Sequence, residues 1–251
     1  MANRYNITFD TEADYLAYKA SSAYCEPNVS YISNDNIVHF NPYDPYAGHE
    51  YVEIGGIKWA TMNVGATAVT DTGLYFQWGD ASGYTASQVG SGSGQKAFKW
   101  EDYKYGNGTS SPSATDIIKY NDTDGKTVLE ASDDAVQANW GGDWRMPTKA
   151  EFQALLDAVN TVWTSNYNGS GVAGLVCTDK IDSSKTLFFP AVGFCEDSSV
   201  KSVGNVGIVW NSSLYSDNVS YACRLFFNDF DIDWDIPENR YYGYSVRGVV
   251  G

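Results

Sequence analysis

Histidine is almost missing from this 251-residue chain: there are two, His39 and His49. Neither lies near a motif that could use it as a base, so a Ser-His-Asp arrangement is not expected. Cysteine is sparse as well, and Cys25, Cys177, Cys195 and Cys223 form no CxxC pair. Zinc centres need clustered thiolates and imidazoles, so no metal site is expected. Cys177 and Cys195 could pair under oxidising conditions, but their spacing alone does not establish it. Basic residues are few: 16 Lys and Arg stand against 31 Asp and Glu, a formal net charge of −15. Such a polyanion is repelled by phosphate backbones and anionic membrane surfaces, which argues against nucleic-acid partners. No apolar run approaches the roughly 20 residues a membrane-spanning helix needs, so membrane insertion is not expected. The start, Met1-Ala2-Asn3-Arg4-Tyr5-Asn6-Ile7, lacks a basic stretch followed by an apolar one, and no secretory signal is visible.

Aromatic residues are plentiful, with 19 Tyr, 11 Phe and 8 Trp. Tyr and Trp offer large contact areas with few rotatable bonds, which suits recognition surfaces. A β-rich core would use the same residues for ordinary packing. The hydrophobic fraction of 43% is enough for a real core, and the length allows one large domain with a small appendage.

Residues 1–50 read as that appendage. Tyr5-Asn6-Ile7-Thr8-Phe9 alternates like a strand, and Thr11-Glu12-Ala13-Asp14 resembles a helix start, predicting a helix to about Ser21. Asn28 to Ile32 and Ile37 to Phe40 look like two strands around a turn, and Asn41 to Pro45 reads as a linker. This stretch is too short for a solid core of its own, so a role in homo-oligomer or virion assembly is expected.

From residue 51 the pattern changes. Tyr51 to Ile54 and Ile57 to Ala60 flank Gly55-Gly56, a hairpin signal. Gly73 to Asp80 reads as an aromatic strand, and residues 81–130, rich in Gly, Ser, Asp and Tyr, as a long surface insertion. Asp133 to Asn139 predicts a short capped helix. Thr148 and Glu151 form a capping box for a second helix with Phe152, Leu155, Leu156 and Val159 on one face. Beyond Gly193 only strand-like alternation remains. The fold class is α+β.

Four segments carry a resemblance. They are Trp59 to Ala66, Tyr75 to Asp80, Trp144 to Phe152, and Gly243 to Arg247. Together they resemble the C-type-lectin-fold domain shared by the formylglycine-generating-enzyme superfamily and the variable proteins of diversity-generating retroelements. The resemblance spans about Tyr51 to Gly251 and implies a C-type-lectin-like domain with two helices and a mixed sheet. In the variable proteins a reverse transcriptase rewrites the last gene segment at template adenines, and the altered side chains face the ligand. The frame residues Trp210, Ser212, Ser213, Ala222, Leu225, Phe227, Gly243, Ser245 and Arg247 match that pattern, and Val209, Asn211, Cys223 and Arg224 depart from it. The resemblance thus implies a binding segment over about residues 204–251, on a phage particle or bacterial surface, facing a protein or glycan receptor. A non-diversified adhesin of the same fold is one alternative, and an enzyme related to the formylglycine-generating oxidases is the other. The enzyme branch is known for a paired-cysteine copper site, and its flanking motif is missing here. No catalytic residue, cofactor or metal is expected.

Residues expected to be displayed are Ile208, Val209 and Asn211 around Trp210, the alternating Tyr215, Asp217, Val219 and Tyr221, then Cys223 and Arg224, and Tyr241 further on. The sharpest candidate is the stretch Asn228 to Ile236, where Phe230, Ile232, Trp234 and Ile236 alternate with acids. An amphipathic strand with buried apolar residues fits this pattern, and so does a loop displaying them to a partner. Calcium binding by Asp229, Asp231, Asp233 and Asp235 is a third reading, though no central Gly or closing Glu sits at EF-hand spacing. Arg240 and Arg247 are expected to serve structure through ion pairs or backbone bonds.

Overall fold

The computed structural model describes Ile7–Thr8, Ser30–Ile32, Val38–Phe40 and residues 44–251 except Ser111 and Pro112. The chain divides into two compact units, Met1–Gly48 and His49–Gly251. In the first, strands β1 (Ile7–Thr8), β2 (Ser30–Ile32) and β3 (Val38–Phe40) form one sheet in sequence order. β1 runs parallel to β2, and β2 pairs antiparallel with β3, Ser30 opposite Phe40. The helix expected over 11–21 lies outside the described residues.

The second unit is mixed α+β, mostly sheet, with two helices among its described residues. It opens with the hairpin of β4 (Tyr51–Ile54) and β5 (Ile57–Asn63). Its turn needs two left-handed residues, and Gly55 and Gly56 supply φ of 62° and 80°. Later come β6 (Val159–Thr164), β7 (Gly174–Asp179) and β8 (Thr186–Pro190), a three-stranded antiparallel sheet, and the small hairpin β9 (Phe194–Glu196) and β10 (Ser199–Lys201). The C-terminal strands are β11 (Gly207–Leu214), β12 (Tyr221–Phe227), β13 (Ile232–Asn239) and β14 (Ser245–Val250). They join the first hairpin in a six-stranded sheet of order β13-β12-β11-β14-β5-β4. The last strand in sequence, β14, is therefore inserted between β11 and β5, and within this sheet only β11 and β14 run parallel.

Helix α1 (Ala135–Trp140) starts at Asp134, whose carboxylate accepts from the amides of Val136 and Gln137. Helix α2 (Lys149–Ala158) starts at Thr148, and the capping box with Glu151 forms as the sequence predicts. Phe152 and Leu155, one turn apart, are buried with Val159 against Trp59, Val209, Leu225, Phe227 and Val249 of the main sheet and Leu175, Cys177, Leu187 and Phe189 of the second sheet. One core thus ties helix and both sheets together.

Two expectations change. Gly73 to Asp80 is not a strand. It makes only isolated bridges, Tyr75 to Tyr84 and Phe76 to Tyr244, because its neighbours are a loop and the turn before β14. Nor is 81–130 a surface insertion, since Phe98, Trp100, Tyr103, Tyr105, Ile117 and Tyr120 are buried. This segment folds as loops and single turns, so its apolar positions follow no period although they fill a core.

Candidate functional site

The C-terminal strands sit on a frame held by buried hydrogen bonds. The Trp210 indole donates to the Phe76 carbonyl at 2.9 Å, and the Trp78 indole donates to the Asn211 carbonyl at 2.8 Å. Gly243 is required by close packing, since a Cβ there would lie 2.4 Å from the Phe98 ring and 2.8 Å from Cys195. Arg247 is fully buried and donates to Asn63 Oδ1 and the carbonyls of Ala60, Thr61 and Phe188. Arg240, also fully buried, donates to the Tyr103 hydroxyl and the carbonyls of Tyr120, Val219 and Lys119. Both arginines hold backbone together, as expected. Burial outweighs a nearby thiol and lowers Arg247 to about 9.

Several residues expected on display are instead inside. Ile208, Val209 and Asn211 are buried because β11 has a strand on each side and is packed on both faces. The Asn211 side-chain oxygen accepts from the Ser213 amide, a local backbone role. Val219 and Cys223 are buried too, each only edging a cleft. Arg224 is 7% exposed. Ile232 and Trp234 are half-buried and pack against the main core. From Ile232 onward the acid-alternating run is therefore an amphipathic edge strand. Phe230 differs: it is 91% exposed. It lies in the turn joining β12 to β13, where the Asn228 side chain accepts from the amides of Phe230 and Asp231. Asp217 is exposed, and Tyr215, Tyr221, Asn228, Ile236 and Tyr241 are half-buried.

Three surface clefts are lined by this segment. One of about 500 Å³ lies between Lys149 at the start of α2 and Tyr215, Asp217, Cys223 and Asp235. Lys149 and Asp235 form an ion pair across it, and that bond raises the Lys149 pKa. Asp217 raises the Tyr215 phenol by its charge. A second cleft, about 370 Å³, is lined by Ser216 to Ser220 with Ser113 and Asp122. A third, about 290 Å³, lies between Asn228 to Ile232 and the residues Thr161, Trp163 and Leu175 of the second sheet.

A further feature escaped the sequence reading. Phe194, Tyr242 and Tyr244 pack edge to face or stacked, Tyr241 lies tilted against Tyr242 at 4.5 Å, and Trp100 lies 5.1 Å from Tyr241. The Tyr242 hydroxyl donates to Glu196, which also pairs with Lys201. Phe226 belongs to the same neighbourhood through Arg224, whose guanidinium lies 5.1 Å from the Phe226 ring and 5.8 Å from that of Tyr244. The run Tyr241-Tyr242-Gly243-Tyr244 was the available signal. Phe194, Glu196 and Phe226 lie too far away in sequence to be grouped with it.

Cys177, Cys195 and Cys223 are free, buried thiols. Burial pushes them up to about 12, 12 and 11, so little thiolate forms near neutral pH. Among the described residues no group of three or more His, Cys, Asp or Glu side chains gathers as a metal site. No helix among them is long and apolar enough to cross a membrane. No family model, curated protein or solved structure matches the chain.

Proposed function

We propose that the chain is a non-catalytic ligand-binding protein whose second unit has a C-type-lectin-like fold and whose last segment, about 204–251, carries the binding surface. The observation that carries this reading is the distribution of the clefts: each of the three described above is walled by residues of that segment. The frame residues Trp210, Ala222, Leu225, Phe227 and Arg247 are buried, so the fold is held by one set of residues while others line the clefts. That division suits a surface whose side chains change while the scaffold stays, as in the variable proteins of diversity-generating retroelements. The partner is a protein or glycan receptor, met on a virion or a bacterial surface.

Two measurements test this. The first is genomic. A near-copy of the segment's coding sequence, differing only where the copy has adenine, is expected close to a reverse transcriptase gene. Changes should cluster at the codons of Tyr215, Asp217 and Phe230 rather than at those of Trp210 or Leu225. Differences at other bases refute diversification and leave a non-diversified adhesin of the same fold. The second is Phe230→Ser. Because Phe230 is exposed and its ring supports nothing, stability should move by no more than about 0.5 kcal/mol. Attachment to receptor-bearing cells should fall at least tenfold. Unchanged attachment would remove the β12–β13 turn from the binding surface.

A further inference from the structure

Resting on the reading of this segment as a binding surface, we propose that Arg224 anchors a ligand carboxylate borne on a ring with a flat apolar face. The buried arginines differ in how their donors are met. Arg240 and Arg247 are each 0% exposed and each donates to four acceptors. This fold thus satisfies a buried guanidinium fully where the role is structural. Arg224 is 7% exposed, yet its Nε and Nη1 have no acceptor. Its one charged neighbour, Glu238, lies 3.7 Å from Nη2, beyond hydrogen-bond reach. Trp59 Nε1 and Asn211 Nδ2 are open as well, but Arg224 carries a charge, so leaving its donors unmet costs more and a ligand acceptor would offset that cost.

The surroundings specify the acceptor. Arg224 occupies the middle of β12, opposite Trp210 on β11 and Ile236 on β13. The rings of Phe226 and Tyr244 lie on its guanidinium. Phe226 and Ile236, the cross-strand partner of Arg224, are half-buried, and Tyr242 stacks on Tyr244. Rings placed in this way can take a flat apolar body and orient it through one polar group. Nε and Nη2 form one edge of the guanidinium, and with Nε open and Glu238 out of hydrogen-bond reach of Nη2, that edge matches a planar carboxylate. Glu238, 3.7 Å from the same guanidinium, repels a multiply charged phosphate more than a singly charged carboxylate. The carboxylate enters past the ring of Phe226, which moves as a side chain.

The probes are benzoate and D-glucuronate, with benzyl alcohol and D-glucose as their uncharged counterparts. They are titrated into the full chain while the arginine Nε–Hε resonances are followed by NMR. The Arg224 resonance is assigned by its loss in Arg224→Lys. At least one carboxylate should shift the Arg224 signal in a saturable way, leaving Arg240 and Arg247 unmoved, and the uncharged counterparts should not. Arg224→Met should stay folded, melt no lower than the parent, and weaken carboxylate binding at least tenfold. The proposal is overturned if neither carboxylate shifts Arg224 selectively. It is equally overturned if Arg224→Met unfolds or melts as low as Arg247→Met, which would make Arg224 structural. The titration reads Arg224 whether or not a template copy exists, so failure of the retroelement reading is separable from failure here.

Discussion

Asp133 shows how much one side chain can organise. Buried in a loop between β5 and α1, it accepts from the hydroxyls of Tyr105 and Tyr120 and from the ammonium groups of Lys104 and Lys119. Burial alone would raise its pKa, but the bonds from Lys119, Tyr105, Tyr120 and Lys104 outweigh it and hold the carboxyl far below the usual range. A depressed carboxyl contributes stability that is complete above the unfolded pKa of about 4 and is lost as pH falls toward the folded value. Thermal stability should therefore decline from about pH 5 downward. Asp133→Asn should cost about 2 kcal/mol at neutral pH and flatten that acid limb, as read by melting curves across pH. An acid limb as steep as the parent's would show that other carboxylates set it. Arg224 is the counterexample at the same scale. Where Asp133 has four donors, Arg224 has open ones, and a buried unmet donor costs on the order of 1–3 kcal/mol.

At the level of the element, the start of α2 joins the helix to the C-terminal sheet. Thr148 Oγ1 accepts from the Glu151 amide at 3.3 Å, and Glu151 accepts from the Thr148 amide at 2.7 Å. Arg145 grips the same carboxylate through two bonds of 2.8 and 2.6 Å. The next residue, Lys149, reaches Asp235 on β13. Thr148→Ala should cost about 1 kcal/mol, seen as a lower urea midpoint with an unchanged slope. Binding at the Lys149 cleft should weaken less than stability does, since the cleft residues themselves remain. This helix start was legible in the sequence because a capping box is a local pattern of four residues. The β4–β5 hairpin was legible for the same reason, since Gly55-Gly56 marks its turn locally, whereas the alternation of β13 fitted both a buried strand and a displayed loop. β11 was misread because both of its faces are covered, so alternation there says nothing about exposure.

For the molecule as a whole, the division at residue 48 has a direct consequence. The unit His49–Gly251 contains the main sheet, the second sheet and both described helices. A fragment of residues 49–251 should therefore fold alone, giving a cooperative thermal transition and the native near-ultraviolet signal of its buried Trp residues. A broad, non-cooperative melt would show that the first 48 residues complete its core. The net charge of −15 acts at this scale too, disfavouring polyanionic partners at long range.

By itself the sequence determined the α+β class, the β4–β5 hairpin, both helix starts, and the structural nature of Arg240 and Arg247. Each of these is written in adjacent residues or in a charge that must be satisfied wherever it is buried. Only the tertiary structure decided that 81–130 contributes to the core, that Ile208 and Asn211 face inward, that Phe230 is exposed, and that Arg224 lies against the rings of Phe226 on β12 and Tyr244 in the turn before β14. Those outcomes depend on which strands become neighbours. The parallel pairing of β11 with β14 covers β11 on its second side and brings Tyr244 over Trp210, and no local pattern encodes that juxtaposition.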